Sequence, residues 1–224
     1  MLANKGRLAS GNFMLLILVS VTVFVVPVFP IAYHKLLFNL LYTAIFFIAV
    51  FSLQKHRKMM LGLAVAATVA EWLSASIQMT ALNTASRLLN ILFFMVVVFF
   101  LIVQITLTQK VTARVIMEAI NGYLLLGMVF ALAVAVIMNF RPEAYNFPTP
   151  ASRLDQSIYY FSDYLYYAFA TFATVGYGDI VPLAPYAKSL AILTGVTGQI
   201  YVAVIIAMLV GKFAAASAVS DDST

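Results

Sequence analysis

Six runs of apolar residues divide the chain, at 11–29, 36–53, 59–77, 88–108, 115–138 and 186–210. Crossing the hydrocarbon core of a bilayer takes about 20 mainly apolar residues per helix. Each run is long enough and the polar residues between them are few, so six transmembrane helices are predicted. A shorter apolar stretch, 158–173, cannot cross and reads as re-entrant. The first run follows Lys5 and Arg7, as a secretion signal would. It is too long for that, it ends in a Pro27/Pro30 turn instead of a small-residue cleavage site, and further spans follow.

Composition fixes the solvent. The chain is 64% hydrophobic and 9% charged, with a mean hydropathy of +1.01, against about 45–50% apolar and about 25% charged for soluble domains. Lipid must cover that surface, and no soluble domain fits. The net charge of +5 is scattered over short loops, which argues against nucleic acid; the absence of cysteine excludes disulfides and thiolate metal sites. With the N-terminus inside, the cytoplasmic set of basic residues is Lys5, Arg7, Lys55, Arg57, Lys58, Lys110, Arg114 and Lys212. The outer set is Lys35, Arg87, Arg141, Arg153 and Lys188. Basic residues gather on the cytoplasmic side, so both termini are expected in the cytoplasm of a cell (inner) membrane. Glu143, Asp155 and Asp163 then sit on the outer side, which suits a face that meets cations. The 14 residues after the sixth run leave no segment for a cytoplasmic regulatory domain.

The chemistry lies in Asp163-Tyr164-Leu165-Tyr166-Tyr167-Ala168-Phe169-Ala170-Thr171-Phe172-Ala173-Thr174-Val175-Gly176-Tyr177-Gly178-Asp179. A potassium ion entering a narrow pore sheds its hydration shell, and rings of backbone carbonyls from four chains can replace those oxygens. Carbonyls in a row can face one axis only in backbone conformations that glycine tolerates and other residues resist. Gly176 and Gly178 are those glycines; Val175 and Tyr177 anchor the loop from behind, and Thr174 adds a hydroxyl as the innermost ligand ring. The preceding helix, about 162–173, would end near the axis and present its partly negative C-terminus to a cation.

The run Thr174-Val175-Gly176-Tyr177-Gly178-Asp179 between two spans resembles the signature of tetrameric potassium channels. The resemblance extends over about 110–212, through Gly122-Tyr123-Leu124-Leu125-Leu126-Gly127, Gly198-Gln199-Ile200-Tyr201-Val202-Ala203 and Leu209-Val210-Gly211. These stretches look like small bacterial channels with this pore and no regulatory domain. It implies an all-α homotetramer in the lipid bilayer that conducts potassium ions and binds no other cofactor. Potassium would sit at Thr174, Val175, Gly176 and Tyr177, with Gly178 closing the filter. Residues 1–108 would be a four-helix bundle like an uncharged voltage-sensor domain, 109–212 the pore module, and 213–224 a short cytoplasmic tail. Two departures touch filter stability and inactivation: Tyr166-Tyr167 replaces a frequent tryptophan pair, and Ala173 stands where a second threonine is common. A weakly selective cation channel of the same fold and a non-conducting silent or scaffold subunit remain the rival readings. A potassium transporter usually needs four linked pore repeats, and this chain has one.

Other residues carry secondary expectations. Asp179 either concentrates cations and bonds Tyr166 or Tyr167, or is a solvated loop acid. Gly195 and Gly198 serve a hinge or close helix packing, and Gln199 hydrogen-bonds to a neighbouring helix. Ile205, Ile206, Met208 and Leu209 could form an apolar inner constriction. Glu71, about twelve residues into the third span and so roughly 18 Å along it, pairs with Arg87 or relays protons; Trp72 beside it needs no functional account. Residues 109–118 lie along the inner membrane surface or simply continue into the fifth span. From Leu88 to Gln109 there is no Lys or Arg, so the fourth span lacks the charges of a voltage sensor. No enzyme chemistry is expected: there are no paired catalytic carboxylates, no metalloprotease or phosphate-loop motif, and His34 and His56 stand apart.

Overall fold

The computed structural model describes residues 2–53, 57–77, 79–108, 111–147 and 161–221. Lys55, His56, Gln109, Lys110, Arg153 and Asp155, which entered the sequence reading, lie outside them, as does the start of the 158–173 stretch. The chain is an all-α membrane protein with six helices long and apolar enough to span a bilayer. Among the described residues there is no sheet, only a single antiparallel bridge between Tyr145 and Pro182.

The helices are α1 (Leu2–Ser20), α2 (Ile31–Ser52), α3 (Arg57–Ile77), α4 (Thr80–Leu107), α5 (Ala113–Phe140), the short α6 (Phe161–Phe172) and α7 (Pro185–Asp221). Past Ser20 the first span widens into a π-turn (Val21–Val25) and tightens into a 3-10 turn (Val26–Val28). Pro27 lacks an N–H and its ring crowds the preceding turn, so the regular ladder cannot pass it. Residues 113–118 form the first turns of α5, so continuation into the fifth span describes them; Glu118 is fully buried.

Two boundaries move. The fourth helix begins at Thr80, eight residues before the expected start, because Asn83, Ser86 and Asn90 are helical yet turn polar groups inward onto a cavity. Arg87 therefore lies two turns inside α4 and not at its outer edge. The last helix runs unbroken to Asp221.

Packing is sequential from α1 to α4, and both α4 and α1 then close on α5, which also receives α6 and α7. In its most apolar window α5 is 61% buried, against 22% for α3 and α7, so α5 is the axis of the chain. Aromatic rings join the elements around it. Phe161, the first residue of α6, meets Phe38 edge-on at 5.0 Å and Tyr42 at 6.0 Å, and the cluster continues through Phe46, Phe93 and Phe94. Such ring pairs add about 0.5–1.5 kcal/mol each beyond their buried area.

Glycine is required where α7 meets the end of α6. A Cβ on Gly198 would strike the Phe172 carbonyl, whereas one on Gly62 would meet nothing within 4 Å. Gly198→Ala is expected to lower stability by about 1–3 kcal/mol, and Gly62→Ala to leave it unchanged. Thermal unfolding in detergent measures both; equal melting points for the two variants would contradict the tight seat of α7 on α6.

Candidate functional site

Twelve residues of α6 end at Phe172, and the chain then turns back through an irregular loop to Pro185. The last turns of α6 hold that loop by its amides. Ala173 donates to the Phe169 carbonyl (2.9 Å), Thr174 to Thr171 (3.0 Å), and Val175 and Gly176 both to Ala170 (2.8 and 3.1 Å). Among the described residues no hydrogen bond is donated to a carbonyl of Thr174–Gly178.

The backbone alternates in hand along this stretch. Thr174, Gly176 and Gly178 have φ of +57°, +55° and +81°, with Val175 and Tyr177 between them on the ordinary side. Alternation of this kind turns successive carbonyls toward one side of the chain. The glycines occupy left-handed positions without steric cost. Thr174 does not: among the described residues no other non-glycine has a positive φ, and a β-branched residue resists it. The stretch is also open to its surroundings, with Val175 53% and Tyr177 71% exposed despite their apolar bodies.

Both tyrosines of α6 are placed, on different sides. Tyr166 donates its hydroxyl to Asp179 Oδ2 at 2.7 Å and stacks nearly parallel on Tyr177 at 6.1 Å. Tyr167 turns inward and packs edge-on against Tyr145 at 5.2 Å and near Phe147. Of the two candidate partners of Asp179, Tyr166 makes the bond. That bond, aided by the Ile180 backbone N–H, holds the Asp179 carboxyl below its ordinary value of 3.8. A lowered carboxylate pKa means that the contact is complete above 3.8 and is lost only as the pH falls below it.

Several contacts around the loop escaped the sequence reading. Asn146 bridges the returning strand, accepting from the Val181 N–H at 2.5 Å and donating to the Asp179 carbonyl at 3.2 Å. His34 on α2 donates through Nε2 to the Phe29 carbonyl at 2.8 Å and accepts from Ser162 on α6 at 3.2 Å. Lys212 on α7 donates to the carbonyls of Ile105, Thr106 (3.0 Å) and Thr108 (2.6 Å) at the end of α4. A lone Lys after the apolar run Met208-Leu209-Val210-Gly211 carries no local signal of such a partner.

Two expectations are corrected. Among the described residues the Gln199 amide reaches the loop and not a neighbouring helix: its Nε2 donates to Thr174 Oγ1 at 3.2 Å. Glu71 does not close on Arg87. Its Oε2 accepts from Ser86 (2.8 Å) and Asn90 (2.7 Å), while Arg87 donates to the Ala135 carbonyl of α5 at 2.5 Å. Both side chains line a cavity of about 60 Å³ enclosed by α2, α3, α4, α5 and the start of α6. Of the four residues considered for an inner constriction, Ile205 is buried against its own chain, whereas Ile206 is 55% exposed. Gly195 and Gly198 both face the end of α6, Gly195 with room for a Cβ at 3.6 Å from the Thr171 carbonyl. Trp72 donates to Thr43 at 3.1 Å.

Residues 124–215 match a family described as "Ion channel". No curated protein and no solved structure matches the chain. The match covers α6, the loop and most of α7, and stops short of half the chain. The chain is a multi-span, α-helical membrane protein, ion-channel-like over the residues that match. Among the described residues no three His, Asp or Glu side chains gather as a metal site.

Tyr166→Phe is expected to return the Asp179 carboxyl toward 3.8, and Tyr167→Phe to leave it where it is. Carbon-13 NMR of the labelled carboxyl against pH reads both. Identical titrations in the two variants would rule out the Tyr166 bond.

Proposed function

We propose that the chain is one subunit of a potassium-selective channel, in which four copies surround a pore and Thr174–Gly178 is the selectivity filter. The observation that carries this reading is the alternating hand of the backbone at Thr174, Gly176 and Gly178, with the loop amides tied back to α6 and the carbonyls unclaimed. Carbonyl oxygens so presented can replace the hydration shell of a potassium ion, and four copies would complete each ring. Thr174, Val175, Gly176 and Tyr177 would hold potassium, and Gly178 would lead to the outer mouth. Asp179 and Tyr166 would brace that mouth, with Tyr167 packed behind.

The exposed surface supports assembly. Alongside the open loop, α7 leaves Ile192, Val196, Ile200 and Val210 between 50% and 69% exposed, on faces that identical neighbours can cover. Closed rotational symmetry is the usual solution for identical subunits. In this reading α6 is the pore helix, α5 and α7 complete the pore module, and α1–α4 form a peripheral bundle. The membrane is the cell (inner) membrane, with both termini in the cytoplasm as the basic residues favour.

Voltage has little hold on such a channel. In α4 the one basic residue is Arg87, and it is fixed to the α5 backbone. Steep gating draws on several charges per subunit, each worth about 2.3 kcal/mol per 100 mV.

Recordings from purified protein in planar bilayers test the proposal. With opposed potassium and sodium gradients the current is expected to reverse near the potassium equilibrium potential, and its conductance to vary shallowly with voltage. Reversal near zero would overturn selectivity. Gly176→Ala is expected to degrade it, because a Cβ finds space there but resists a φ of +55°. Mass photometry is expected to give four times 24.6 kDa plus detergent; a conducting monomer or dimer would overturn the assembly.

A further inference from the structure

Thr174 is held from outside its own loop. Its φ of +57° is one that a β-branched residue resists, and nothing in the sequence of the loop relieves it. The side chain that reaches it comes from α7: Gln199 Nε2 donates to Thr174 Oγ1 at 3.2 Å, across 25 residues of chain. A threonine hydroxyl has two lone pairs and one proton. One lone pair taken by the Gln199 amide leaves the other for a cation.

Gln199 is itself fixed by its neighbours in α7. Gly198 lies so close to the Phe172 carbonyl that no side chain fits, and Gly195 faces the Thr171 carbonyl at 3.6 Å from where a Cβ would stand. Two residues further on, Tyr201 is buried and donates its hydroxyl to the Ala119 carbonyl of α5 at 2.8 Å. A Cβ on Gly122 would collide with that same hydroxyl, so α5 and α7 are matched at this level. The glycines and the tyrosine seat residues 195–201 on rigid helices, and Gln199 projects from that seat to the loop.

We infer that Gln199 is the positioning residue for the innermost cation site. Its amide keeps Thr174 in the left-handed conformation and aims the free lone pair of Oγ1 at the ion, so this site is built from two elements, the loop and α7. The inference rests on reading Thr174–Gly178 as a potassium filter. It adds a determinant of that site's affinity outside the loop.

Barium, a divalent cation close to potassium in size, is the probe, applied from the cytoplasmic side to full-length protein in planar bilayers. Gln199→Met keeps length and removes the donor. It is expected to weaken barium block about threefold to tenfold, the worth of one hydrogen bond, while the current still reverses near the potassium potential. In a Thr174→Val background, which has no hydroxyl to position, the same replacement is expected to change block by less than about 1.5-fold; a lost pairwise contact appears as this non-additivity. Unchanged block in Gln199→Met, or the same fold-change in both backgrounds, overturns the inference and leaves the filter reading standing. An unaltered protein that does not select potassium overturns both. Should Gln199→Met fail to assemble, the unaltered protein decides: the Gln199 side-chain amide signals are expected to shift when potassium is exchanged for sodium. Signals indifferent to the ion overturn the inference.

Discussion

The carbonyls of Thr174–Gly178 receive no hydrogen bond from the described residues, and a carbonyl left without a donor costs roughly 1–3 kcal/mol once its surroundings exclude water. The surrounding structure is arranged so that the chain cannot escape that situation by refolding locally. The amides of Thr174, Val175 and Gly176 are committed to Thr171 and Ala170, so the carbonyls cannot pair with them. The end of α6 is pinned by α7 through Gly198, and the far end of the loop is clasped by Asn146. What remains is a set of oxygens with fixed direction and unmet demand. In the proposed channel a cation would meet that demand with no rearrangement of the protein.

How far this was legible in the sequence depends on how local each determinant is. Spans 11–29 through 186–210 follow from side-chain hydropathy alone, and the structure places helices over all six. The glycines at 176 and 178 announce positive φ because few other residues accept it. Thr174 carries no such signal: a threonine does not announce a left-handed backbone, and its hydroxyl partner Gln199 is 25 residues away. The start of α4 was misjudged because Thr80–Asn90 carries polar residues that hydropathy assigns to water. In the fold Ser86 and Asn90 serve Glu71 instead. The expected Glu71–Arg87 pair failed for the same reason. Once polar partners are packed on either side, each charge finds its own.

Helices α1, α2 and α4 are tied to α5 and α6 near both ends of the bundle through polar contacts inside an apolar shell. Toward one face, His34 joins α2 to α6 and Arg87 joins α4 to α5. Toward the other, Asn12 of α1 donates to the buried Glu118 of α5 at 3.0 Å, Asn121 returns a bond to the Asn12 backbone at 2.9 Å, and Arg114 pairs with Glu118 at 3.2 Å. Lipid-facing apolar contact alone discriminates poorly between partners, since a lipid tail competes with any side chain. Hydrogen bonds in that medium do discriminate. They set which surface of α5 meets α1 and which meets α4.

Lys212 closes a circuit. Its ammonium rests on the last carbonyls of α4, 104 residues back along the chain at Thr108, where the partial negative charge of a helix C-terminus gathers. Everything from α5 to α7 is therefore a noncovalent ring, knotted at one cationic clasp. Closing so long a ring costs little more entropy than closing one half its length, about 0.6 kcal/mol per doubling. A displacement of α7 at Lys212 would reach the end of α4 directly through that clasp, without travelling through the intervening polypeptide.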